Sequence, residues 1–187
     1  AAEALSLQGQ RGKANEILDL VSKEIPVSKY NDPRSLSSIV SAYILSGQEQ
    51  KGLALAEELK KGIFKEYDYY ISLKAADQVF AGKELRTKPF DYSLIVSAVA
   101  DAYKKQGKAD KAHQYIVKSL EPIDKRYNDF IKNLEAGGRE KAMKESENIQ
   151  KIAPFYQYLF EVIKPYDSIY ASEKMDQITN QIMKATQ

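Results

Sequence analysis

The thirty residues from Asp91 to Leu120, DYSLIVSAVADAYKKQGKADKAHQYIVKSL, constrain the chain more than any other stretch, because they read as two amphipathic helices packed back to back across a glycine turn. Leu94, Ala98 and Ala102, with Val96, Val99, Ala100 and Tyr103, recur at three- and four-residue intervals. That spacing puts a broad apolar stripe on one face of the first helix. Gly107 closes this helix where a left-handed backbone is needed, and Ala112, Tyr115 and Ile116 open the stripe of the second. The small residues have a mechanical reason. Antiparallel helices approach to about 8–10 Å only where little side chain intervenes, so Ala100 and Ala112 let the backbones close while Tyr103 and Ile116 fill the adjoining gap.

The same arrangement recurs upstream. Gly9 is followed five residues later by Ala14, and Gly47 five residues later by Gly52, as Gly107 is by Ala112. Leu5, Leu18 and Pro26 complete the first copy, and its alignment predicts that Ala1 lies inside a helix begun further upstream. Asp32-Pro33 supplies an N-cap and a first-turn proline for the second copy. Its helices carry Leu36, Ile39, Val40 and Tyr43, then Leu53, Ala56 and Leu59, with an end expected at Lys60-Lys61-Gly62. From Gly9 to Gly47 is 38 residues, and from Gly47 to Gly107 is 60. The longer interval predicts an extra helix over Glu66–Phe80, carrying Tyr69, Leu73, Ala76 and Phe80 and ended by Gly82 and Lys88-Pro89. Beyond the central hairpin, Pro122 predicts a kink or a fresh start, and a stripe of Ile123, Tyr127, Phe130, Ile131 and Leu134 runs to Gly137-Gly138. Two more helices follow. Pro154 kinks or opens the one bearing Phe155, Tyr156, Leu159, Phe160 and Ile163; Ile169, Met175, Ile178, Ile182 and Met183 mark a last, capping helix.

In its order of large, small, aromatic and small residues (Val96, Ala100, Tyr103, Ala112, with Ile116 where an aromatic is usual) the central hairpin resembles the tetratricopeptide (TPR) repeat. The resemblance implies an all-α fold of antiparallel hairpins stacked in a right-handed superhelix. One domain over 1–187 then divides into a truncated first repeat (1–30), a second (31–64), an inserted helix (65–90), a third repeat with a following helix (91–136) and C-terminal helices (137–187). It also implies a ligand groove lined by the first helix of each pair, here Ser37, Ser41, Ile44 and Leu45, then Ser97, Asp101, Lys104 and Lys105. The lysine and asparagine clamp by which some TPR domains hold a peptide carboxylate is not met.

Charge and composition narrow the chemistry. Basic and acidic residues, 28 and 26, are interspersed to a net +2, which gives no reason to expect nucleic acid or an anionic membrane as partner. Cysteine is absent, so disulfides and thiolate chemistry are excluded. The longest uncharged run, Ser35–Gln48, is too short to cross a bilayer, and no basic-then-apolar leader opens the chain. His113 is the single histidine and reads as a surface or packing residue, not a metal ligand. Glu57-Glu58 and the pair Glu145 and Glu147 read as solvated faces. No catalytic residue, cofactor or metal is expected in this chain.

Two features remain open to a partner. Lys104, Lys105, Lys108 and Lys111 gather at the central turn, either as a patch for an acidic partner or as the exposed lysines of an ordinary repeat turn. Thirteen tyrosines stand against no tryptophan. Consecutive tyrosines cannot all point inward, so Tyr67, Tyr69 and Tyr70 form a candidate aromatic surface, with Tyr156, Tyr158, Tyr166 and Tyr170 a second group.

The segments AEALSLQGQRGKANEILDLVSKEIP, AYILSGQEQKGLALAEELKKG and EYDYYISL resemble the C-terminal helical-repeat region of large multi-pass bacterial membrane proteins described as similar to the protein O-mannosyltransferases. The resemblance covers about the first half of the chain. It implies that any catalytic residues belong to a membrane part outside this sequence, and that the repeats sit on the periplasmic side. The expectation is then a non-catalytic scaffold for a protein or polypeptide segment. A carbohydrate-binding helical domain at the cell surface, using the tyrosines, is the alternative.

Overall fold

A computed structural model describes residues 1–24, 32–136 and 139–185. Every element among them is a helix: α1 (Ala2–Leu7), α2 (Arg11–Glu24), α3 (Pro33–Leu45), α4 (Glu49–Ser72), α5 (Ala75–Lys105), α6 (Ala109–Ala136), α7 (Arg139–Ile163) and α8 (Ser168–Ala185). The all-α expectation holds. Pro26 and Gly137-Gly138 lie outside the described residues, as do the side chains of Ala76, Phe80 and Ile182.

Three turns share one bonding scheme. Gly9, Gly47 and Gly107 have φ of 76°, 94° and 74°, the only left-handed residues described. The amide after each glycine donates back across the helix end, Gln10 to Leu5, Gln48 to Tyr43 and Lys108 to Tyr103, at 2.8–2.9 Å. Those carbonyls would otherwise be orphaned at a helix C-terminus. The same residue then starts the next helix by accepting from Ala14, Gly52 or Ala112. The five-residue spacing is therefore the length of chain that ends one helix and seats the first small residue of the next.

Packing follows the chain. Helices α1, α3, α5 and α7 lie against one another in that order, and α2, α4 and α6 each touch both the helix before and the helix after. Rings from three helices meet at the centre: Phe64 of α4 stacks on Phe155 of α7 with centroids 5.1 Å apart, and Tyr92 of α5 lies 5.0 Å from Phe64. Asp32 caps α3 as expected, accepting from the Arg34 amide. At the C-terminal end Asp124 holds both Tyr156 (2.7 Å) and Lys174 of α8 (3.0 Å), and the Tyr127 hydroxyl donates to Ile178 O.

Several expected helix ends are not ends. α4 runs through Lys60-Lys61-Gly62 to Ser72, and α5 runs through Gly82 and Pro89, so no separate helix occupies 65–90. The break falls instead at Leu73-Lys74, both in extended backbone. Pro122 and Pro154 lie inside α6 and α7, so of the two expectations at each, a kink or a fresh start, no new helix opens there. An interior glycine costs about 1 kcal/mol and a proline about 3. Against the first stand Ile63, Phe64 and Tyr67, all buried just beyond Gly62, each worth about 1.5–3 kcal/mol. Burial outweighs the breaker.

Gly52 shows how close α3 and α4 come. A Cβ there would meet Ile44 Cγ1 at 2.8 Å, Val40 O at 3.0 Å and Tyr43 Cβ at 3.2 Å. Ile44 is fully buried and cannot swing away. Gly52→Ala should therefore destabilise by about 1–3 kcal/mol despite alanine's better helix propensity. Gly12, whose added Cβ meets open space, should give the opposite sign, Gly12→Ala stabilising by about 0.5–1 kcal/mol. Urea unfolding of the two variants beside the parent checks both, and equal midpoints would contradict this account of the seam.

Candidate functional site

One face of α4 presents Glu57, Lys60, Lys61, Phe64, Lys65 and Asp68 at helical spacing, and this face forms one wall of a cleft of about 570 Å³. The opposite wall is α6, with Lys118, Glu121, Pro122 and Arg126; Tyr92 of α5 lies at the floor. Phe64 and Tyr92 belong to the central ring cluster, so the floor is the outer surface of the core.

Lys60 is only 7% exposed. Its ammonium pairs with Glu57 at 2.7 Å, donates to Ser119 Oγ at 3.2 Å and sits 4.7 Å from the Tyr115 ring centre. Ser119 is oriented for this, because its hydroxyl donates to Tyr115 O while its carbonyl accepts from the Tyr92 hydroxyl. Burial holds the Lys60 amine below its usual range, with Glu57 opposing. Across the cleft the Arg126 guanidinium grips Asp68 through two bonds of 2.9 and 2.6 Å and lies 4.0 Å over Phe64. That fork ties α6 to α4.

The cleft wall thus carries five cations against three carboxylates, and Glu57 and Asp68 are already engaged. Lys61, Lys65 and Lys118 are exposed, and among the described residues no carboxylate lies within ion-pair distance of them. The result is a positive rim over an apolar floor.

The expected groove is only partly available. Ser41, Ile44 and Leu45 are buried, Ser37 and Ser97 half-buried, and Asp101, Lys104 and Lys105 exposed, with Ser97 donating to Asp101 at 3.4 Å. The lysines of the central turn are largely consumed by intramolecular contacts. Lys105 pairs with Glu3 (2.6 Å), Lys108 and Lys111 pair with Glu49 (3.5 and 3.0 Å), and Lys104 lies over the Tyr166 ring. Glu49 also accepts from Tyr103, whose phenol is pushed up to about 12 by burial and then by that carboxylate. The Lys111 contact is the main reason Glu49 itself titrates below the ordinary range.

Tyr67 is fully buried against Phe155, which removes it from the aromatic surface; Tyr69 is 61% exposed and Tyr70 half-buried beside it. His113 comes within 3.3 Å of Asp167 without hydrogen-bond alignment and meets the Tyr170 ring edge-on. Glu145 is not on a solvated face: it is buried and accepts from Asn148. Glu57 is exposed but paired to Lys60, while Glu58 and Glu147 are exposed as expected. Among the described residues no three His, Cys, Asp or Glu side chains are grouped to hold a metal, and no helix is long and apolar enough to cross a membrane. Comparison of the chain with protein-family models, curated proteins and solved structures finds no match.

Burial raises the phenols of Tyr67, Tyr92, Tyr115 and Tyr156 far above their ordinary value. An unfolded phenol ionises near pH 10, so above that pH the unfolded chain loses protons the folded one keeps, and stability falls as pH rises. Alkaline titration followed by ultraviolet difference absorbance should show these four ionising only together with loss of helix. Reversible ionisation of all thirteen tyrosines with circular dichroism unchanged would contradict the burial assignment.

Proposed function

We propose that this chain is a non-catalytic, TPR-like helical scaffold that binds a polypeptide, and that the cleft between α4 and α6 takes an acidic segment bearing an apolar side chain. The ladder of odd-numbered helices and the three like turns support a hairpin-repeat construction, in which each unit leans on its neighbours. The observation that carries the binding site is the uncompensated rim of Lys61, Lys65 and Lys118 above Phe64 and Tyr92. A carboxylate gains from the three ammonium groups, while a ring or alkyl chain beside it packs on the half-buried Pro122 and the alkyl stems of the exposed lysines, over the buried Phe64 and Tyr92. The role as a periplasmic accessory part of a larger glycosyltransferase-related membrane protein is proposed on the resemblance of Ala2–Pro26, Ala42–Gly62 and Glu66–Leu73 alone.

The test uses a dye-labelled peptide of alternating glutamate and phenylalanine, read by fluorescence polarisation. Binding should weaken steeply as salt rises, and Lys61→Glu/Lys118→Glu should lose roughly tenfold or more in affinity. Both lysines are exposed, so the thermal midpoint should stay within a degree or two, as surface changes do. Equal affinity in parent and variant would discard the site.

A further inference from the structure

We infer that a second cavity, at the mid-helix prolines Pro89 and Pro154, is a binding site for a neutral, hydroxyl-rich ligand of the carbohydrate class. The cavity measures about 750 Å³ and lies among α5, α7 and α8, away from the Lys60 cleft. Small-molecule sites span about 300–1,000 Å³, so it accommodates a short oligosaccharide.

Both prolines act on the backbone of its wall. A proline has no N–H, so the carbonyl four residues earlier loses its usual helical donor. For Pro89 that residue is Leu85, and for Pro154 it is Gln150; both line the cavity. Two adjacent helices thus each bring to one space a residue whose carbonyl lacks its helical partner. Leu85 is half-buried and Gln150 exposed; an acceptor freed from its helical donor is open to another partner, and a ligand hydroxyl can supply one.

The side chains select among ligands. Along one face of α7 come Gln150, Pro154, Gln157, Tyr158 and Glu161. Tyr158 is 41% exposed, and its ring is braced edge-on by Phe90 at 5.7 Å, which is itself covered by the Arg34 guanidinium at 5.5 Å. A held ring with an open surface offers its negative face to the C–H groups of a pyranose. Charge at the cavity is mixed: Arg86 and Glu161 oppose each other in sign, and Lys151 pairs with Glu147 at 3.8 Å. A hydroxyl both donates and accepts, so a polyol satisfies amides, carboxylate and guanidinium together. A purely anionic ligand would meet Glu161, and a purely cationic one Arg86. The site stands independently of the acidic-peptide cleft, and either can fail alone.

The experiment is an amide NMR titration of the whole ¹⁵N-labelled chain with maltotriose and, separately, with chitotriose, each to roughly 10 mM. The expected result is saturable shifts within residues 150–161 with at least one of the two sugars. Tyr158→Ala should weaken that binding about tenfold, Tyr158→Phe should keep it, and Gln157→Ala should weaken it in part; both positions are at the surface, so folding is checked by the rest of the spectrum. Binding of the glutamate-phenylalanine peptide should not change. The inference is overturned if neither sugar moves these signals, if glycerol at the same hydroxyl concentration moves them equally, or if Tyr158→Ala in a folded spectrum titrates like the parent.

Discussion

The contact on which the rest depends is the stack of Phe64 on Phe155, with Tyr92 and Tyr67 against their edges. These rings come from α4, α5 and α7, so a single cluster fixes the positions of three helices at once. Aromatic pairs in such tilted and offset arrangements contribute about 0.5–1.5 kcal/mol each beyond the area they bury. Arg126 then closes the outer side of Phe64 while holding Asp68, which brings α6 into the same group. The Lys60 cleft is shaped by this cluster and not by loops. Its floor cannot shift without disturbing the core.

Around that centre, charge works mostly as fastening. Glu49 gathers Lys108, Lys111 and Tyr103 at the start of α4, and Glu3 reaches Lys105 across the stack. Exposed pairs of this sort contribute only about 0–1 kcal/mol apiece. They do, however, occupy the lysines of the central turn. The contrast with Lys61, Lys65 and Lys118 is what distinguishes a binding rim from a set of staples.

Much of this was legible from residue spacing and some of it was not. The hairpin of Asp91–Leu120 and the glycine turns follow from short-range steric rules, and the backbone at Gly9, Gly47 and Gly107 obeys them. The ends of α4 and α5 do not, because Gly62 and Pro89 argue locally for a stop while apolar residues near them, such as Ile63, Phe64, Tyr67 and Tyr92, are buried by distant helices, and α5 also runs through Gly82. That misplaced end also hid the cleft. Cutting the helix at Gly62 divides the face that runs from Glu57 to Asp68, so its cations are never seen together. The burial of Tyr67 is hidden from the sequence for a related reason: the phase of a helix through consecutive tyrosines is set by Ile63 and Phe64, one turn earlier, and those belong to the same uninterrupted helix. The cavity at Pro89 and Pro154 needs both prolines on neighbouring helices, a fact that no one-dimensional pattern contains.

Apart from the rings that α4 and α7 share, backbone packing among the described residues joins mostly a helix to the next one or the next but one. Such a chain closes mostly short loops as it collapses, which favours rapid folding. It also means that the ends can open without the middle. Helices α1 and α2 pack mainly on each other and on α3, reaching further through polar pairs such as Glu3 with Lys105 and Asp19 with Lys51, and α8 packs mainly on α6 and α7, so fraying at either extremity leaves the α4, α5 and α6 group intact. A partner held between α4 and α6 would therefore be insulated from motion at both termini, and its grip would report the stability of the central hairpins alone.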